Sequence, residues 1–104
     1  MNDKILLSKI YVEISSYRLR TLKAIGKETK IPKTIAKESK IRPNHISKVL
    51  RELKDHDLAV CINEEVRKGR LYRLTPLGLQ ILEEIEWDMF MVQMTVTVEL
   101  KAGQ

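Results

Sequence analysis

Residues Arg42 to Asp57, RPNHISKVLRELKDHD, read as one helix with two unlike faces. Pro43 opens it, because a proline at the first helical position lacks only an N–H that would have no intrahelical acceptor. Ile46, Val49, Leu50 and Leu53 recur at spacings of three and four, the stripe of a helix that buries one side. Stepping about 100° per residue from Pro43 puts Asn44, Ser47, Lys48, Arg51 and Asp55 opposite that stripe. Amide, hydroxyl, ammonium and guanidinium groups on the N-terminal half of an outward face are what a helix needs to reach base edges and phosphates. On an isolated helix the same residues would be ordinary solvated surface, so the flanking segments decide between the two.

Upstream, Pro32 marks another first helical turn, and PKTIAKES forms a short helix that buries Ile35 and Ala36. Alanine there lets a second helix cross closely, and Ile41 in the turn plugs the angle between the two. A short helix, a tight turn and a longer helix make a helix-turn-helix. Before it, Ser15 or Ser16 caps a helix over Tyr17–Gly26 with an inward stripe of Leu19, Leu22 and Ile25, and Gly26 stops it. Lys27–Ile31 is charged and loop-like. Residues 3–14 fit either period: Leu6, Ile10 and Ile14 a helix, Ile10, Val12 and Ile14 a strand, and helix is the expected state.

Downstream, Leu58, Val60 and Ile62 alternate with Ala59, Cys61 and Asn63, which predicts a strand with one buried face. Arg67, Lys68, Gly69 and Arg70 follow, then a second alternating run through Leu74. Two strands around a basic, glycine-containing loop predict a β-hairpin with a charged tip.

The segment PKTIAKESKIRPNHISKVLR, Pro32 to Arg51, resembles the helix-turn-helix of ArsR-like and MarR-like winged-helix transcription regulators, with Ile35, Ala36, Ile41, Ile46 and Val49 in the apolar slots. RLYRLTPLG, Arg70 to Gly78, resembles that family's wing strand and its exit into a last helix. The likeness spans Tyr17 to Leu82 and is strongest to small archaeal proteins of this class. Lys40 departs from it, standing where the turn often has glycine, which implies a wider turn or a left-handed lysine.

The C-terminal segment exceeds a minimal winged helix. Thr75 and Pro76 form an N-cap and first turn, and Leu77, Ile81, Ile85, Met89, Val92 and Val96 follow at helical spacing. From Trp87 to Val98 the other faces are apolar too, with Phe90, Met91 and Met94 among them. A helix apolar all round is covered on several sides, and a second copy is the expected cover. The β-branched run Thr95–Val98 is expected to fray or turn extended. The expected dimer interface is therefore Ile85, Trp87, Met89, Phe90, Val92, Met94 and Val96.

The chain's 104 residues give room for one core, and 19 basic against 14 acidic residues give +5. Residues 1–75 hold eighteen basic and nine acidic side chains, +9, and residues 76–104 one and five, −4. A basic body with an acidic tail points to a polyanion partner for the body alone. One cysteine excludes an intrachain disulfide and suits a reducing compartment. With no signal-like start and no long apolar run, a cytoplasmic protein without membrane attachment is expected.

Catalytic chemistry finds no constellation. His45 and His56 lie more than two turns apart on one helix, no glycine-rich phosphate loop occurs, and no Cys or His pair has zinc spacing. No cofactor or metal is expected. Cys61 is read as a buried structural thiol rather than a sensor, and His56 as a packing or capping residue. Trp87 and Phe90 could line a pocket at a dimer seam, but packing accounts for them.

The resulting expectation is a mainly α protein with a small β-hairpin, a winged helix-turn-helix over residues 1–75 and a dimerisation helix over 76–104. It binds double-stranded DNA as a homodimeric transcription regulator and is not an enzyme. Arg42, Asn44, His45, Ser47, Lys48 and Arg51 would bind DNA from the helix that enters the major groove, His45 from beside its DNA-facing side toward phosphate, Arg67, Lys68 and Arg70 would act from the wing, and Arg18 and Lys33 would hold phosphate. An architectural DNA-binding protein and a protein-interaction module are the alternatives; the second leaves the basic face without a partner.

Overall fold

A computed structural model of the chain describes residues 3–102, with the side chains of residues 3–95. The element order is α1 (Asp3–Glu13), α2 (Ser16–Ile25), α3 (Pro32–Ser39), α4 (Pro43–Asp55), β1 (Ala59–Cys61), β2 (Tyr72–Leu74) and α5 (Pro76–Ala102). The molecule is mostly helical with one antiparallel hairpin, as expected.

Local chemistry sets the boundaries. The Ser15 hydroxyl accepts from the Arg18 N–H and caps α2. Pro32 and Pro43 stand in the first turns of α3 and α4. Between those helices Lys40 adopts φ 60°, ψ 38°, a left-handed residue. Its N–H donates to Lys37 and that of Ile41 to Ala36, the paired bonds of a Schellman ending. The turn therefore keeps its tight form, and the lysine bears the strain that a glycine would avoid. Arg20 of α2 secures it, donating through Nε to the Ser39 carbonyl at 3.0 Å and through a terminal nitrogen to that of Lys40 at 2.7 Å.

The core is that of a helix-turn-helix. Ile46, Val49, Leu50 and Leu53 of α4 are buried against Leu22 and Ile25 of α2 and Ile35 and Ala36 of α3, with Ile41 inserted at the turn. Ile81, Leu82 and Ile85 of α5 belong to the same core. The first turns of α5 are thus packed into the same core as the helix-turn-helix.

The hairpin pairs Ala59 with Leu74, Val60 with Arg73 and Cys61 with Tyr72. Lys30, in the stretch read as loop, adds a rung on the other side of Tyr72, with N–H to carbonyl bonds of 2.9 and 2.8 Å in both directions. The buried side of β1 is Ala59 and Cys61, while Ile62 is exposed. The expected phase of this strand was therefore inverted. Leu58 is buried because it ends the turn out of α4, not because it starts the strand, and the ladder begins one residue later.

Two further expectations change. Residues 3–13 are helical, but Leu6, Leu7, Ile10 and Ile14 face outward and Val12 with Ile5 packs inward. The helix α5 runs on through Thr95, whose hydroxyl donates to the Met91 carbonyl at 2.9 Å, a bond that accommodates a β-branched threonine in a helix. The side chains of Val96 and Val98 lie outside the described residues.

Candidate nucleic-acid interface

Burying four apolar residues of α4 turns the rest of its N-terminal half to solvent. Arg42, Asn44, His45, Ser47, Lys48 and Arg51 are all exposed. Among the described residues no ion pair occupies Arg42, Lys48 or Arg51. Their charges face water uncompensated, the condition under which a polyanion gains most by replacing counterions.

This ridge lies between two grooves. On one side Ser47, Arg51 and Lys54 of α4 face Pro32 of α3 and Arg67, Gly69, Arg70 and Tyr72 of the hairpin. On the other, His45 and Lys48 face Ser16 and Tyr17 at the start of α2. Lys33, one residue into α3, is exposed. Folding has thus brought Ser47 and Arg51 of α4 to the same groove as Arg67 and Arg70 of the hairpin, with His45 and Lys48 in the second groove.

The wing is held by side chains rather than by a long ladder. Asn63 accepts from the Leu71 N–H at 2.8 Å and donates to the Gly69 carbonyl at 3.1 Å, spanning the loop. Arg70 donates to the carbonyls of Val66 at 2.8 Å and Glu64 at 3.2 Å. Gly69 takes φ 73°, a conformation costly for any other residue. Lys54 of α4 pairs with Glu64, joining the hairpin loop to α4; this contact raises the Lys54 ammonium pKa and lowers that of the Glu64 carboxyl. Arg67 and Lys68 remain exposed at the tip.

Three expected site residues are placed differently. Arg18 is only 14% exposed; its Nε donates to the Tyr11 carbonyl at 2.8 Å and a terminal nitrogen meets Glu52 at 3.6 Å, so it ties helices together instead of facing phosphate. Arg70 spends two of its nitrogens on the wing backbone and acts first as a loop staple. Ile85 is buried in the core of its own domain and is not available to a second copy. By contrast Trp87, Met89, Phe90, Val92 and Met94 are 48 to 62% exposed in the single chain.

Other residues at this surface escaped the sequence reading. Tyr17, exposed at the start of α2, lies 5.9 Å from the His45 ring and 5.4 Å from the Arg20 guanidinium. Nothing in its local pattern separates it from a capping-region aromatic. Asn63 was legible only as a strand-end residue. Cys61 is buried as expected, with Sγ 3.6 Å from the Asn63 side-chain oxygen. His56 caps α4 and stacks on Tyr11, a packing role.

A helix-turn-helix followed by a short basic hairpin and a long final helix is a winged-helix fold. Solved structures with the same arrangement include two MarR family transcriptional regulators. One, from Silicibacter pomeroyi, is 19% identical with a TM-score of 0.61, over 82% of this chain and 67% of that one. A second from Silicibacter pomeroyi is 12% identical with a TM-score of 0.68, over 94% and 73%. A mutant form of Lactococcus lactis ZitR is 18% identical with a TM-score of 0.61, over 86% and 60%. At these identities the likeness shows the fold. No protein-family model and no curated protein matches the chain. Among the described residues no helix is long and apolar enough to cross a membrane, and no group of His, Cys, Asp or Glu side chains has the arrangement of a metal site.

Proposed function

We propose that this chain is a cytoplasmic transcription regulator that binds double-stranded DNA sequence-specifically as a homodimer. The observation that carries the reading is the unpaired face of α4, with Asn44, Lys48 and Arg51 exposed between a basic wing and the start of α2. The MarR family regulators that share the fold support the same direction. In this reading α4 lies in the major groove, Asn44 and Arg51 meet base edges, and Lys33, Lys48, Arg67 and Lys68 meet phosphates. The exposed apolar residues in the second half of α5 join two copies, so the DNA-binding unit extends to about Glu86 and the remainder of α5 serves the dimer.

Selection from random duplexes by the full chain tests this, followed by titration at several salt concentrations. An inverted repeat with half-sites roughly 34 Å apart is the expected product. If Lys33, Lys48, Arg67 and Lys68 each neutralise one phosphate, about eight per dimer, log affinity falls with log salt at a slope near −7. A steep slope without enrichment of any sequence would favour an architectural DNA-binding protein, and a slope near zero would exclude DNA as the partner.

A further inference from the structure

Tyr11 of α1 has its ring covered on both sides. The Arg18 guanidinium carbon stands 3.8 Å from the ring centroid, and the His56 imidazole lies nearly parallel to it, at 3.7 Å and 18°. Two groups so close to one centroid occupy opposite faces. Arg18 also bonds the Tyr11 carbonyl and reaches Glu52 of α4, and His56 is the residue that ends α4. Burial pushes the Tyr11 phenol up, opposed by the Arg18 charge beside it. The stack therefore joins α1 and α2 to the last turn of the helix that carries the exposed polar face.

The next residues attach the same turn to α5. Asp57 leaves α4 at φ 59°, its carbonyl accepts from the Thr75 hydroxyl, and Thr75 accepts in turn from the Gly78 N–H as the cap of α5. Lys4 of α1 meets the Asp57 carboxylate at 3.5 Å. The two helices that leave apolar faces exposed, α1 and α5, both grip the C-terminal end of α4. Stacked rings resist rocking more than aliphatic contacts do, because tilting either plane opens a gap in the contact.

We infer that Tyr11, clamped between Arg18 and His56, is a positioning residue that fixes the angle of α4 to the two-fold axis and so sets which half-site spacing the dimer accepts. This rests on the DNA-binding dimer proposed above. Tyr11 itself need not touch DNA. Were the stack packing alone, its loss would weaken every duplex by the same factor.

The test uses the full chain and the inverted repeat that it selects, with versions in which one or two base pairs are added or removed between the half-sites. The wild-type chain and Tyr11→Phe, which keeps the ring, should lose about tenfold or more on a shifted spacing, while Tyr11→Leu should lose no more than about threefold. His56→Ala removes one side of the stack from an exposed position, and should flatten the profile likewise if Tyr11→Leu proves unfolded. A wild-type chain that binds no duplex would remove the DNA reading and this inference together. A wild-type chain selective for spacing, with Tyr11→Leu or folded His56→Ala equally selective, would overturn this inference and leave the DNA reading standing.

Discussion

Among the described glycines, Gly78 leaves the least room for a side chain. A Cβ built there would lie 2.1 Å from the Leu58 carbonyl oxygen and 3.3 Å from the Leu74 Cβ, and the obstacle is backbone rather than a side chain that could turn aside. Gly78→Ala is expected to destabilise the fold by about 1 to 3 kcal/mol, read as a lower urea midpoint at unchanged slope. An unchanged midpoint would mean that α5 shifts off Leu58 without cost. Thr21 is the opposite case: fully buried in α2, its hydroxyl has no partner. Thr21→Val is expected to stabilise by about 1 kcal/mol by removing an unsatisfied polar group, and a lower midpoint instead would show that the hydroxyl is bonded in solution. Neither feature was legible in the sequence, whereas the left-handed Lys40 was anticipated, because a lysine in a glycine slot is visible against a motif. The closeness of Leu58 to Gly78 depends on where α5 lands, and the orphan at Thr21 on which way α2 turns.

At the scale of elements, periodicity located every helix and the hairpin, and erred where both faces of an element are apolar. The run Leu58–Ile62 is apolar at each position, so its phase was not legible, and burial falls on Ala59 and Cys61. Helix α1 has an apolar residue on nearly every side, and the Leu6, Ile10 and Ile14 stripe that marks it as a helix is the one left outside. The polar face of α4 was read correctly since its amphipathicity is unambiguous. What the pattern could not give was that Arg18 and Arg70 are engaged within the fold, because a basic residue has the same hydropathy in a salt bridge and in free solution. For the two elements of the proposed interface the expected labour is divided. Arg51→Ala and Asn44→Ala should each cost about 1 to 3 kcal/mol on a selected site and relax preference there, whereas Lys68→Ala should weaken all duplexes alike and make the salt slope shallower. Equal losses on selected and random DNA for all three would assign α4 to phosphate contact only.

The whole molecule measures 59 × 32 × 21 Å, the long dimension consistent with a final helix that outlasts its domain. Up to Ile85 that helix is held by the core; beyond it, Asp88 pairs with Lys9 of α1, and Lys23 of α2 lies 3.3 Å from the Met89 sulfur. Past those ties Phe90, Met91, Val92 and Met94 remain 45 to 62% exposed. Each side chain of this kind fully removed from water stabilises association by about 1.5 to 3 kcal/mol, before the cost of fixing two bodies together. A chain ended after Glu86 keeps Ile81, Leu82 and Ile85 and should stay folded, whereas one ended after Leu82 would open a cavity where Ile85 sits. The Glu86 truncation should sediment as a monomer at micromolar concentration, bind a single half-site as the full chain does, and lose about a hundredfold on the inverted repeat, since linkage of two weak events is what it forfeits. A truncated chain that still dimerises would place the interface on Leu6, Leu7, Ile10 and Ile14 of α1. In that case Ile10→Asp in the full chain, a charge set into an exposed apolar stripe, should produce the monomer that truncation did not.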